Sequence, residues 1–361
     1  MTGIYADVRQ EERATALEAD LEAEQASSRL RSERAVDSLR AMGQVSATHV
    51  LPLAVDGERQ RFPYAGQRVA MYLSEGCFRS DALTKTPLLL VHSINAAASA
   101  AELRPVFEHY ARLRPVVALE LPGFGSSDRP DRCYDPVLMS RSILAAQVYM
   151  VSIGLRRAPD VMGVSLSCEF VARAVLEQPQ RFRSVALVSP TGLEHDRRET
   201  PGKSVSKRKP WLLALLRCPL WTDLLFRALT SRPSLRWFLK RTWGSPRIDE
   251  RLLDYDHLSA HQPGARHAPL TFIAGGLFTR GAAELYRRLP LPVWLAHGTR
   301  GAFADYDGVR HLDPLPLWRR ERFETGALPY FEQPLHFCTR FDAFVTSAQV
   351  QSRDSGDHDS H

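Results

Sequence analysis

The stretch "PDVMGVSLSCEF", residues 159–170, decides how this chain reads. Strand-forming residues run to Gly163, Ser165 follows two positions on, and a helical pattern begins directly after it. That is the outline of a nucleophile elbow, G-x-S-x-G, a sharp strand-to-helix turn that presents a serine oxygen above a sheet. Backbone crowds such a turn, so small neighbours are needed. Gly163 supplies one, and Ser167 replaces the usual second glycine. Ser165 is the candidate nucleophile; an N-capping serine at an ordinary turn is the competing account.

Working outward, "PLLLVH" (87–92), "PVVALEL" (115–121), "PDVMGV" (159–164) and "RSVALVSP" (183–190) are short, nearly continuous apolar runs. Helix-like segments at about 98–113, 137–153 and 166–178 lie among them. Strands buried on both faces read this way, which predicts an α/β fold with a mostly parallel sheet and flanking helices. Residues 48–75 look like two strands around turns. Further strands are expected at 291–298 and 321–326, and a helix from about 334 to 347. The expected organisation is a helical arm over 1–44, core over 45–190, a helical insertion over 191–280, core again over 281–348, and a polar, disordered tail over 349–361.

The totals exclude several functions. The net charge of +6 over 361 residues is modest, so nucleic acid is not an expected partner. Five scattered cysteines without a C-x-x-C fit a reducing cytosol, and hence a cytoplasmic protein, better than a disulfide framework or a zinc site. Neither a signal-peptide core nor an apolar run of the ~20 residues needed to cross a bilayer is present. No cofactor motif or metal site is read: the H-x-x-x-H at 257–261 lacks the glutamate of a zinc-protease helix and is expected in a loop.

Four segments in order resemble the α/β-hydrolase superfamily. "LLLVHS" ends a strand where that family has its His-Gly oxyanion loop, and "LELPGFGSSD" (119–128) is similar to its Asp-x-Pro-Gly-x-Gly-x-Ser segment. "GVSLS" is the elbow, and "TGALPYFEQP" (325–334) resembles the segment around the family's catalytic histidine. The resemblance covers roughly residues 60–347, and in its details the chain looks like the lidded bacterial members. It implies that Ser165 attacks while the N–H groups of Leu166 and Ile94 hold the oxyanion.

A serine needs a base to take its proton, commonly a histidine oriented by a carboxylate. Aligned on Gly326, Pro329, Phe331, Glu332 and Pro334, the histidine position is Ala327. In "HGTRGAF" the aspartate position is Gly301, followed by Ala302. Asp305 and Asp307 just downstream are candidate substitute acids; His92, His336, His195, His261 and His267 are candidate substitute bases, each set against the plainer account of a hydrogen-bonded or solvated histidine. Two functions follow: a serine hydrolase of an ester or thioester with an apolar acyl group, or an inactive relative that binds a hydrophobic ligand or partner. Installing histidine at 327 and aspartate at 301 is expected to separate them.

Residues 203–247 hold eleven Lys or Arg and one acid, Asp223, mixed with apolar residues at helical spacing. The resemblance implies a lid with an apolar inner face, matched to a hydrophobic small molecule or acyl substrate. Its basic outer face suits an anionic membrane surface or an acidic carrier protein, against the plainer account of a self-packing cap whose arginines face water.

Overall fold

A computed structural model describes residues 51–193, 209–303, 306 and 317–356, with side chains through Ala348. The expected arm at 1–44 lies outside the described residues. Eight strands form one sheet in the order β1-β2-β4-β3-β5-β6-β7-β8. They are β1 (Glu58–Tyr64), β2 (Gln67–Leu73), β3 (Leu88–Val91), β4 (Val116–Glu120), β5 (Asp160–Val164), β6 (Ser184–Val188), β7 (Val293–Gly298) and β8 (Trp318–Phe323). The hairpin β1–β2 joins β4 antiparallel, and every pairing from β4 to β8 is parallel. The mostly parallel α/β expectation therefore holds.

The period-2 alternation of each strand sends its residues to two cores. Leu89 and Val91 of β3, with Val117 and Leu119 of β4, face one side; Leu88, Leu90, Val116 and Ala118 face the other. On the first face lie α2 (Pro136–Ser152) and α3 (Ser167–Glu177), reached after α1 (Arg104–Tyr110) in chain order. On the second face α1 packs with a final long helix, whose Phe337, Phe341 and Phe344 surround Trp294.

Between β6 and β7 the described chain forms α4 (Pro210–Leu216), α5 (Thr222–Leu229), α6 (Arg232–Trp243), α7 (Glu250–Ala260), α8 (His267–Ile273) and α9 (Ala282–Arg287). After β8 come α10 (Pro329–Glu332) and the final helix, α11 (Pro334–Gly356).

Three expectations need correction. The last strand lies three residues earlier than expected, because an edge strand reading "WRRERF" exposes its charges and hides the apolar signal. The tail expected to be disordered from 349 continues as helix to Gly356. The 257–261 histidines sit at the end of α7 rather than in a loop, each bonded to backbone: His261 Nδ1 to the His257 carbonyl at 2.7 Å, His257 Nδ1 to the Thr230 carbonyl at 3.2 Å.

Candidate active site

Ser165 follows the last residue of β5 and takes φ 55°, a left-handed backbone rarely adopted by a side chain other than glycine. Its N–H donates to the Val188 carbonyl at 2.8 Å, and its own carbonyl accepts from the Cys168 N–H at 3.1 Å. The elbow is thereby tied to both its strand neighbour and its helix. Gly163 is required: a Cβ there would lie 2.9 Å from Val171 Cγ2. Ser167 does more than fit, because its Oγ donates to the His92 carbonyl at 2.5 Å and joins the elbow to the end of β3.

Leu166 precedes α3 as its N-cap, and Ile94 lies in the loop after β3. Both line one cavity with Ser165, of about 210 Å³. Neither backbone N–H has an acceptor among the described residues, so both donors are free for an oxyanion. The positive end of the α3 dipole favours negative charge at the same place.

The substitution of Ser93 for the family glycine does not open this loop. The Ser93 N–H donates to Glu102 Oε2 at 3.0 Å, while Asn95 donates to Glu102 Oε1 at 2.6 Å and to Ser93 Oγ at 3.3 Å. Glu102 is buried, lines the cavity, and has its carboxyl pKa raised by desolvation. It is the one titratable side chain among the described lining residues. Sequence reasoning passed over it, though a lone acid in "AAASAAELRPVF" was a visible signal. Ser189 was also missed: it has φ 49°, lines the cavity, and donates from Oγ to the Ala327 carbonyl at 2.6 Å.

The relay side is different. Ala327 lines the cavity where the resemblance puts the base, and its N–H donates to the Thr242 carbonyl at 2.9 Å. The C-terminal end of α6 rests directly on the two loops that carry base and acid in the family. Gly301 has φ +92°, and a Cβ there would lie 2.6 Å from the Arg241 carbonyl oxygen. A Cβ on Gly326 would lie 2.5 Å from the Trp243 Cα. Glu332 binds the loops together, accepting from the Gly326 N–H at 2.6 Å and from Arg300. An aspartate at 301 is therefore excluded by backbone contact, which corrects the expectation that the family acid could be restored there.

The substitute bases separate cleanly. His92 is fully buried; Nε2 accepts from the Leu121 N–H at 3.0 Å and Nδ1–H donates to the Ser93 carbonyl at 2.6 Å. Burial holds its pKa down at about 4. Both nitrogens are spent, so it braces the loop and takes no proton from serine. His336 is exposed on α11, within 3.1 Å of Gln333 Oε1. His267 lies 3.4 Å from Asp131 with its pKa lowered by burial. Neither of these nor His261 lines the cavity. His195, Asp305 and Asp307 lie outside the described residues.

The remaining wall is apolar, with Phe238, Leu239 and Leu252 from α6 and α7, Phe272 from α8, and Phe278 and Phe303. The inner face of the insertion thus lines the cavity above Ser165.

The family model described as alpha/beta hydrolase fold matches residues 86–239. No curated protein matches the sequence. Among solved structures, a serine hydrolase involved in carbazole degradation, CarC, is 16% identical with a TM-score of 0.62, covering 80% of this chain and 99% of its own. A 2-hydroxy-6-oxo-6-phenylhexa-2,4-dienoate hydrolase from Rhodococcus sp. strain RHA1 is 18% identical with a TM-score of 0.60, covering 81% and 99%. The esterase RhEst1 from Rhodococcus sp. ECU1013 is 19% identical with a TM-score of 0.58, covering 81% and 99%. Identities this low speak to the fold, and the family match, the sheet order and the elbow agree with it. The chain has the α/β-hydrolase fold, and its residues 86–239 match that family's model.

Proposed function

We propose that this protein is a serine hydrolase acting on an ester or thioester with an apolar acyl group. The observation that carries this reading is the backbone of Ser165. A left-handed serine costs about 1–2 kcal/mol, and such strain persists where an exposed functional atom depends on it. Here it sets Ser165 in an apolar cavity beside two free N–H donors. Ser165 Oγ attacks the acyl carbon, and Leu166 and Ile94 hold the resulting oxyanion. With no imidazole among the described lining residues, Glu102 is the titratable group assigned to receive the serine proton. The aromatic and leucine wall takes the acyl chain. The similar structures named above, two hydrolases and an esterase, support the reaction class.

The test is fluorophosphonate labelling and turnover of medium-chain esters, each compared with Ser165→Ala. The expected result is loss of labelling and a fall in turnover on the order of 10³-fold. Because a base must be ionised, turnover should also rise with pH through the raised pKa of Glu102. Equal behaviour of the two proteins removes this reading.

A second reading, a ligand-binding protein without turnover, draws on Ala327 and the closed backbone contact at Gly301. It expects a hydrophobic ligand to bind the parent and Ser165→Ala equally, with no labelling of either.

A further inference from the structure

Helices α4 and α5 bury one face and leave an unusual surface on the other. Leu213 and Phe226 pack with Ala265, Leu270 and Ala274 in a small core of their own. Facing away are Trp211 and Leu215, one helical turn apart, and Trp221 and Leu225, likewise one turn apart. Trp221 Nε1–H donates to the Leu215 carbonyl at 3.0 Å, so the two rows adjoin. Leu220 at the turn is 87% exposed, Leu224 74% and Trp211 67%. A contiguous apolar patch of this kind marks an interaction surface.

We propose that this helical hairpin docks the protein on an anionic lipid surface. Tryptophan and leucine on a convex edge suit the boundary between headgroups and acyl chains. Lys209 and Arg227, both exposed, carry no ion-pair partner among the described residues and face lipid phosphates. The single acid on the hairpin, Asp223, is neutralised by Arg266 at 2.5 Å. A second copy would bring the same two cations against each other, which disfavours it as the occupant. Among the described residues no helix is long and apolar enough to cross a membrane, so the contact is peripheral. Helix α8 joins the surface to the site: Leu270 holds the hairpin, and Phe272 lines the cavity. Docking therefore sets the cavity one helix from the source of apolar substrates, although it does not depend on turnover.

The experiment is cosedimentation of the full-length chain with vesicles of phosphatidylcholine alone and of phosphatidylcholine with an equal share of phosphatidylglycerol, with tryptophan fluorescence recorded in parallel. The expected result is binding to the anionic vesicles, a blue shift, and release as salt is raised. Leu220→Asp with Leu224→Asp should cut binding at least about tenfold; Lys209→Ala and Arg227→Ala should each cut it about fivefold. Ser165→Ala should bind as the parent does, which keeps this result separate from any failure of catalysis. Unchanged melting midpoints confirm folding, since the altered leucines point to solvent. No vesicle binding, equal binding to both compositions, or indifference to these variants overturns the proposal. A concentration-dependent dimer lost in the same variants overturns it too, and assigns the face to a second copy.

Discussion

The two walls of the cavity around Ser165 are built on opposite terms. On the wall that carries Ser165 the backbone is strained and its donors are free: Ser165 sits at φ 55°, and Leu166 and Ile94 keep unbonded N–H groups among the described residues. On the facing wall the backbone is crowded and its donors are used. Ala327 N–H is taken by the Thr242 carbonyl, Ala302 N–H by the Arg241 carbonyl, and Gly301 and Gly326 meet the end of α6 without room for a side chain. The difference shows that an elbow and a proton relay are separable parts of this fold. The first is local to one strand–helix turn. The second needs two distant loops to leave space above the sheet, and here an inserted helix fills it.

The largest expected effect tests the crowding. Gly301→Asp puts a Cβ against the Arg241 carbonyl at a left-handed backbone, and should destabilise the fold by about 4 kcal/mol in urea denaturation. A stable, unshifted Gly301→Asp would show that α6 gives way and that the wall is not closed.

Next comes the brace behind the wall that carries Ser165. Burial lowers the pKa of His92 to about 4 from an ordinary value of 6.5, so the folded protein keeps the imidazole neutral. The unfolded chain gains a proton as pH falls below 6.5 while the folded one does not. Stability from His92 is thus full above 6.5 and lost as pH falls toward 4, about 3 kcal/mol in all. The buried Glu102, with its raised pKa, works in the reverse sense, its contribution lost as pH rises, and so flattens the overall curve. Nitrogen NMR of the His92 ring isolates its share; protonation near 6.5 would mean the loop is open to water.

The smallest effect asks whether a histidine at 327, where the resemblance puts the base, would raise the turnover proposed for Ser165. Ala327→His keeps the backbone bond to Thr242 and adds an imidazole to the cavity lining. Ester turnover should rise about a hundredfold, and only with Ser165 present. No gain would place residue 327 out of reach of the serine and break the parallel between this wall and the family's.

Much of this was legible from residues. Apolar runs marked β3 to β7 because parallel strands are covered on both faces, and Gly163, Ser165 and Ser167 marked the elbow because crowding there demands small side chains. The edge strand β8 was read late, since half of its residues face solvent. Glu102 was passed over because its two bonds, to Ser93 and Asn95, come from a loop that sequence order alone does not close around it.

By itself, then, the amino-acid order determined the sheet, the turn that carries Ser165, and the alanine and glycine at 327 and 301 where the resemblance puts a histidine and an aspartate, all of which depend on short-range pattern and on residue identity. Only the tertiary structure decided that His92 is a brace, that Glu102 faces the cavity, and that no carboxylate fits at 301. Those outcomes depend on which backbone atoms from α6, β3 and β4 meet across long chain separations, and desolvation and steric exclusion act only once they have met.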